Sequence, residues 1–310
     1  MTQMNFFKIR IILFTIFLLS LSMAEYGGGY AGAAFRYSTN ARHLSLGGAM
    51  VAEPNWGFHQ FGNPALITNV KNIEFSTSFM ALSLDRSIQV FSVSGQLPPD
   101  AAIGLSLFRA AVDNIGGRDF SGNDIGNFST SDMMAMITFS RKISPSISGG
   151  LNLKVVFNEL DNDLDGKGIA FDVGVAYQPF EWLNIGAKLA NVTGQTTWKY
   201  DGGATDSEDL LSYMSLGSTI SLIQDLKIMI QSDTYMIPDG GKETKIRFGG
   251  EYDLNEKFKL RAGLNGNKFT AGFGVLFKSE KHLGIQLDYA IDPGYENEGI
   301  SHIFSLSTRI

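Results

Sequence analysis

Lys167-Gly168-Ile169-Ala170-Phe171-Asp172-Val173-Gly174-Val175-Ala176-Tyr177 is an alternating run in which two kinds of residue never mix. Ile169, Phe171, Val173, Val175 and Tyr177 fall on one side, and Gly168, Ala170, Asp172, Gly174 and Ala176 on the other. A period of two is that of an extended strand, whose successive side chains point to opposite faces, so the two faces of this strand meet different media. The same register returns in Ile246, Phe248 and Tyr252 against Lys245, Arg247 and Glu251. It recurs in Leu283, Ile285, Leu287 and Tyr289 against Gly284, Gln286 and Asp288, and in Phe258, Leu260 and Leu264 against Lys259, Arg261 and Gly263.

Working outward from that run, about fourteen strands of roughly ten residues fit the chain, the length a tilted membrane-crossing strand requires. They begin near Lys71, Arg86, Ala101, Ser131, Ser146, Lys167, Trp182, Ser212, Asp225, Glu243, Phe258, Lys268, His282 and Ile300. Short links around Leu97-Pro98-Pro99-Asp100, Ser144-Pro145, Pro179-Phe180-Glu181, Leu222-Ile223-Gln224, Asn255-Glu256 and Ser279-Glu280 alternate with longer ones. The long links are Ala110 to Thr130, Glu159 to Gly166, Asn191 to Leu211, Tyr235 to Lys242 and Asp292 to Gly299. Two links on the long side, near Asp85 and Asn265-Gly266, are short and spoil a perfect alternation. Even strand number and one-sided loop length are the marks of an outer-membrane barrel. A soluble sandwich would turn its apolar face inward and has no reason to grow loops at one end only. The fold class expected is therefore all-β, a transmembrane antiparallel barrel. Its apolar face meets outer-membrane lipid and its polar face lines the lumen, with Phe157, Tyr177, Trp182, Tyr252 and Phe258 as interface aromatics.

Composition agrees. The chain has 310 residues with Gly 35, Phe 23, Tyr 10 and only 18% charged residues, which suits one large all-β domain. A net charge of −6 with Lys and Arg scattered singly offers no basic stripe for nucleic acid. Without cysteine there is no disulfide framework and no thiolate metal site. Residues 1–24 read as a cleaved signal peptide: Lys8 and Arg10 precede the apolar run Ile11 to Leu21, and Ser22-Met23-Ala24 supplies small residues for cleavage. That run falls well short of the roughly 20 residues a helical span needs. Residues 25–70 lack an alternating run and are rich in Gly and Ala. Irregular backbone cannot lie in lipid with unpaired amides, so this segment is expected as a plug or hatch inside or under the barrel formed by residues 71–310.

Two motifs in that segment carry a family resemblance. Ala41-Arg42-His43-Leu44-Ser45-Leu46-Gly47-Gly48-Ala49 and Asn63-Pro64-Ala65-Leu66 resemble segments of the PorV/PorQ-like outer-membrane proteins, which belong to the wider FadL-like barrels. Later blocks agree, among them Gly126 to Asp132, Gly149 to Lys154, Gly168 to Gly174, Leu189 to Gly194 and Leu287 to Ala290, so the resemblance spans nearly the whole mature chain. It implies a hatch built on Arg42, Gly47, Gly48, Asn63, Pro64 and Ala65. It also implies a role in type IX secretion or surface attachment, with exported cargo proteins or secretion-machinery subunits as partners. FadL-like relatives instead admit a hydrophobic ligand past the hatch. The chain closes on Ile310 where such barrels commonly end on an aromatic, though Phe304 and Leu306 keep the outward face apolar.

No catalytic constellation stands out. The histidines His43, His59, His282 and His302 are dispersed, without a nearby nucleophile or metal-spaced partner, and no strand shows a lipid-facing Ser/His pair. No enzyme and no cofactor are expected. Asp161-Asn162-Asp163-Leu164-Asp165-Gly166 imitates the start of a calcium loop, with Asp172 at the twelfth position. A strand cannot wrap that ligand, so only a loose site from Asp161, Asp163 and Asp165 remains, against a solvated acidic turn. The lumen-facing charges expected are Lys154, Asp172, Lys188, Lys245, Arg247, Glu251, Lys259, Arg261 and Asp288, which must be matched or kept wet. The leading functional expectation is a barrel that handles exported proteins through its outer loops, where Phe120, Phe128, Trp198 and Tyr200 offer aromatic contacts. The alternatives are a passive channel for hydrophobic small molecules and a purely structural barrel.

Overall fold

The computed structural model describes residues 30–54, 57–161, 164–200, 202–238, 240–278, 284–294 and 299–310. Its strands in chain order are β1 (Ile73–Ala81), β2 (Arg86–Leu97), β3 (Ala101–Arg118), β4 (Asp124–Ser144), β5 (Ile147–Asp161), β6 (Leu164–Phe180) and β7 (Leu183–Lys199). They continue as β8 (Thr205–Asp209), β9 (Ser212–Ile223), β10 (Leu226–Met236), β11 (Lys242–Asp253), β12 (Phe258–Asn265), β13 (Lys268–Lys278), β14 (Gly284–Asp292) and β15 (Ser301–Arg309). Sequential neighbours pair antiparallel, β7 pairs with both β6 and β9, and β1 pairs with β15, so the sheet closes on itself. β8 lies on the outer half of β7 and adds no stave. Leaving it aside, the closed ring has the fourteen strands that the alternation predicts.

The faces are also as the period of two requires. On β6, Ile169 and Phe171 are 53% and 46% exposed, while Ala170 and Asp172 between them are 0% and 1% exposed. A water-soluble sandwich would show the reverse. Burying Ser, Thr, Asn and charged side chains inside a ring whose outside is Leu, Ile and Phe is the polarity of a barrel whose surroundings are hydrocarbon. Phe157, Tyr177, Trp182, Tyr252 and Phe258 all stand outward and exposed, and Trp182 stacks on Phe180 with ring centroids 5.4 Å apart.

The expected long links are where the structure departs from the sequence reading. Ala110 to Thr130 is mostly strand: β3 runs 18 residues and β4 runs 21, leaving only 119–123 as a turn. Asn191 to Leu211 is likewise the outer half of β7 folded onto β8, and Glu159 to Gly166 is strand up to Asp161 and again from Leu164. The cause is physical. Beyond the membrane both faces of a strand meet water, so the apolar alternation that marks a strand is lost while the backbone ladder continues. The barrel therefore has a turn end, which also holds Ile73 and Arg309, and an arm end with tall hairpins.

Residues 30–54 and 57–70 lie in the lumen. Two short helices, Ala41–Ser45 and His59–Gly62, and two 3-10 turns, Ala33–Arg36 and Pro64–Asn69, interrupt otherwise irregular chain. Their neighbours come from opposite walls: Ala41–Ser45 packs on β12 to β15, and Pro64–Asn69 on β2 to β6. Two inward glycines make room for this. A Cβ on Gly263 would lie 2.2 Å from the Gly47 nitrogen, and one on Gly174 would lie 2.1 Å from Asn63 Oδ1.

Candidate functional site

The lumen holds three sets of matched charge, each tying the N-terminal segment to the wall. In the first, Arg42 donates to Glu53 (3.1 Å) and to both oxygens of Glu251 (2.9 and 3.2 Å). Arg261 donates to Glu251 at 2.7 Å and to Asp288 at 2.7 Å, and Gln286 completes the shell of Asp288. Burial works against the Arg42 charge, but Glu251 and Glu53 more than offset it and hold the guanidinium above its usual pKa. In the second set Lys154 pairs with Asp172 at 2.6 Å, and Asn152 joins Asp172 (2.8 Å) to the Gln60 carbonyl (3.0 Å). In the third, Arg247 donates to Asp233 at 2.5 Å, and Gln231 accepts from the Val51 amide at 2.8 Å. Lys188 donates to the Phe61 carbonyl at 2.8 Å and to Tyr213 at 3.3 Å. Unpaired, each such charge would cost several kcal/mol.

Of the expected lumen charges, Lys154, Asp172, Lys188, Arg247, Glu251, Arg261 and Asp288 are buried inside. Lys245, half-buried, lies beside Gly266, and Lys259, also half-buried, pairs with Asp253 at 2.5 Å near the turn end. The residues expected to build a hatch fall in two groups, Arg42, Gly47 and Gly48 against β11 and β12, and Asn63, Pro64 and Ala65 against β5 and β6. Gly47 and Gly48 have φ of +63° and +83°, and a Cβ on Gly47 would meet the Leu264 carbonyl oxygen at 2.4 Å. Asn63 caps the turn that begins at Pro64, accepting from the Ala65 amide, and its amide group donates to the carbonyls of Val51 (2.9 Å) and Val175 (3.0 Å).

His43 sits half-buried under a cavity of about 60 Å³ between segment and wall. Its Nδ1 accepts from the Thr39 amide (3.2 Å) and its Nε2 lies 3.2 Å from the Gly48 carbonyl, so a neutral ring satisfies both. Desolvation, with Arg247 and Lys188 nearby, pushes its pKa down to about 3. Phe35, Phe61, Met50, Met134 and Met136 form the apolar side of this cavity, and Lys154, Asp172, Lys188, Asp233 and Arg247 the polar side. A cavity that accepts benzene measures about 150 Å³, whereas 10–15 Å³ suffices for one water, so this space suits a few waters. With the segment seated, this cavity is too small for an apolar molecule of that size.

Toward the arm end the lumen changes character, and here sequence reasoning missed a feature. Met80, Ile88, Val90, Phe108, Met134, Val156 and Ile303 face inward and form one buried cluster, with Leu44 and Phe58 of the segment inside it and Phe35 and Phe61 packed against it. The cluster belts six adjacent strands, β15, β1, β2, β3, β4 and β5. A signal was present. Each of these strands carries an apolar doublet at this height: Ile303-Phe304, Phe79-Met80, Val90-Phe91, Leu107-Phe108, Met133-Met134 and Val155-Val156. In a strand, adjacent apolar residues mean both faces are apolar. A second missed feature is a bulge in β7. The β6–β7 register jumps on either side of Phe171, and Asn191 and Thr193 hold φ of +55° and +51°. Side chains carry the wall there: the Asn191 amide donates to Asp172 (2.9 Å), and Asn191 accepts from Lys154 (3.0 Å) and donates to the Leu211 carbonyl (2.9 Å).

The remaining expected residues are spread out. Phe120 is fully exposed at the tip of the β3–β4 hairpin and Tyr200 is exposed in the β7–β8 turn. Phe128 is half-buried opposite Ile115, and Trp198 is half-buried against Gly166. Asp163 and the Asp161 side chain lie outside the described residues, and Asp165 is exposed on β6. Asp172 is engaged with Lys154 and Asn152, and no group of three or more metal-binding side chains occurs among the described residues. His59 is buried in the segment, His302 is exposed on the wall with Tyr289 at 2.8 Å, and His282 lies outside the described residues.

In sequence, no family model and no curated protein matches the chain. In structure, the toluene transporter TodX of Pseudomonas putida superposes with a TM-score of 0.64 at 14% identity, covering 88% of this chain and 98% of that one. A Pseudomonas aeruginosa FadL homologue gives 0.57 at 12% identity, with 88% and 98% covered. The monoaromatic hydrocarbon channel CymD gives 0.57 at 12% identity, with 87% and 96% covered. These neighbours are transport channels, and the PorV/PorQ resemblance gains no support from them. At such identity the likeness speaks for fold alone: the chain has the FadL-like fold of outer-membrane barrels.

Proposed function

We propose that this protein is a non-enzymatic outer-membrane channel that passes hydrophobic small molecules through the N-terminal segment's end of the lumen. The observation that carries this reading is the inward apolar belt of Met80, Ile88, Val90, Phe108, Met134, Val156 and Ile303. A barrel for polar solutes gains nothing from desolvating them against such a surface, whereas an apolar solute entering from the arm end is transferred at about 25 cal/mol per Å² buried. Leu44 and Phe58 of the segment sit within the belt and cover it, so passage requires the segment to shift. The β7 bulge beside the cavity supports a sideways exit, since strained backbone there is held by side chains instead of a full ladder. Export through a cleaved signal over residues 1–24 completes the proposal; that stretch lies outside the described residues. Two neighbouring residues test it. Phe108→Ser alters the belt and Leu107→Ser the lipid face. Uptake of a labelled monoaromatic or aliphatic compound by cells should fall several-fold in the first and stay near wild type in the second. Equal uptake in both would remove the reading.

A second reading, handling of exported proteins through the arms, is favoured by Phe120, whose ring stands free at the β3–β4 tip. Pull-down of exported cargo lost in Phe120→Ser, with uptake intact, would favour it over the channel.

A further inference from the structure

We propose that docking of the N-terminal segment holds the barrel's closing seam shut, so that the segment is a clamp on β1 and β15 as well as an occupant of the lumen. The proposal does not rest on the channel reading. Every other neighbouring pair in the ring is joined through nearby chain, but β1 and β15 have no connecting turn and meet across a ladder from Glu74 opposite Arg309 to Ala81 opposite His302. Bringing these two strands together closes the longest loop in the molecule, which is the entropically costliest closure.

The inner face of that seam is built to receive the segment. Below Met80 and Ile303 its side chains are small hydroxyls and one ion pair: Ser76 donates to Ser307 (3.0 Å), Ser78 and Ser305 share a hydrogen bond (2.9 Å), and Arg309 donates to Glu74 (2.5 Å). Two backbone amides of the segment end there. The Gly57 amide donates to Glu74 Oε1 at 2.8 Å, and the Ala41 amide, at the start of a helix and without an intrahelical partner, donates to Ser305 Oγ at 2.8 Å. Gly57 has φ +70°, and a Cβ placed on it would lie 2.6 Å from Ser307 Oγ and 3.1 Å from Ser76 Oγ, so it bears on both strands at once. Glu74 is 2% exposed, and a buried carboxylate needs its donors. The same segment packs its Ala41–Ser45 helix on β12 to β15 and its Pro64–Asn69 turn on β2 to β6 before it enters β1 at Ile73. Once seated on the C-terminal strands, it delivers β1 to the one partner with which it has no connecting turn.

Hydrogen exchange on the purified full-length protein in detergent tests this, read strand by strand. Gly57→Ala should accelerate exchange of β1 and β15 amides on the order of tenfold, the effect of losing about one charge-assisted hydrogen bond, and leave β6 to β10 near wild type. Gly57→Ala/Ser307→Ala, which removes the colliding hydroxyl, should recover part of that protection. Should Gly57→Ala fail to assemble, Ser305→Ala, which deletes the Ala41 acceptor and the Ser78 bond, should accelerate these amides more than Ser78→Ala, which breaks the same seam bond and keeps that acceptor. Unchanged β1 and β15 exchange in a variant whose segment has become protease-sensitive would overturn the clamp, and so would an acceleration spread evenly over all strands.

Discussion

Arg42→Ala removes the cation on which the segment's largest ionic network converges. In the folded protein Arg42 is 2% exposed and serves two carboxylates, Glu53 on the segment itself and Glu251 on β11. Removing one member of a buried ion pair costs about 3–5 kcal/mol, because the partner charge stays behind in a dry place. Glu251 keeps Arg261 at 2.7 Å and has Lys227 at 3.8 Å, so the lower end applies, about 3 kcal/mol. Nearly all of it falls on the docked segment, since the strand ladders do not involve Arg42. A loss of about 3 kcal/mol shifts the docked-to-released ratio by on the order of a hundredfold. Limited proteolysis should then cut within residues 30–54 far faster than in wild type, while the barrel still migrates as a folded species on a gel without boiling. Replacing Arg42 and Glu53 together by Met and Gln should recover part of the protection. If Arg42→Ala leaves the segment as protected as wild type, the account of how charge seats it fails.

Further perturbations follow from the same geometry. Gly174→Val would drive a side chain into Asn63 and Pro64, so it should expel the Asn63–Leu66 turn from its cradle and expose it to protease, with barrel formation retained. His43 has a pKa of about 3 when docked and about 6.5 when released. Protons then favour the released form, so docking is at full strength above about pH 6.5 and weakens as pH falls toward 3, by up to about 1.4 kcal/mol per unit. Protease release of the segment measured from pH 8 to pH 4 should show this trend, and His43→Gln should flatten it. Asn191→Ala removes the side-chain bonds to Lys154 and to the Leu211 carbonyl, leaves the backbone amide bond to Asp172, and should cost about 1–3 kcal/mol locally, seen as faster amide exchange in residues 189–195 and not in β13.

What the sequence disclosed follows from which faces differed in polarity. Ile169 against Asp172, or Leu260 against Arg261, separates lipid from lumen at a glance, because a strand crossing a membrane must show two media in alternate residues. Gly47, Gly48 and Asn63 were singled out through the family resemblance of their motifs; in the structure they stand where the segment's backbone closely approaches the wall. Where both faces meet the same medium the signal vanishes. The outer halves of β3, β4 and β7 see water on both sides and read as loops; the belt sees hydrocarbon outside and apolar side chains inside, and its doublets break the alternation. The β7 bulge shows a different limit, since the left-handed backbone of Asn191 is held by contacts to Asp172, Lys154 and Leu211 that are distant in sequence.

The central claim is that an apolar molecule travels along the inner belt, and photolabelling tests it most directly. A hydrophobic photoactivatable probe applied to native membranes will label lipid-facing residues such as Leu107 and Met133 in any case, without saturation. Labelling at their inward neighbours Phe108 and Met134 should instead saturate and be competed away by an excess of an unlabelled hydrophobic compound. Inward positions that stay unlabelled, or whose labelling no competitor reduces, would contradict it.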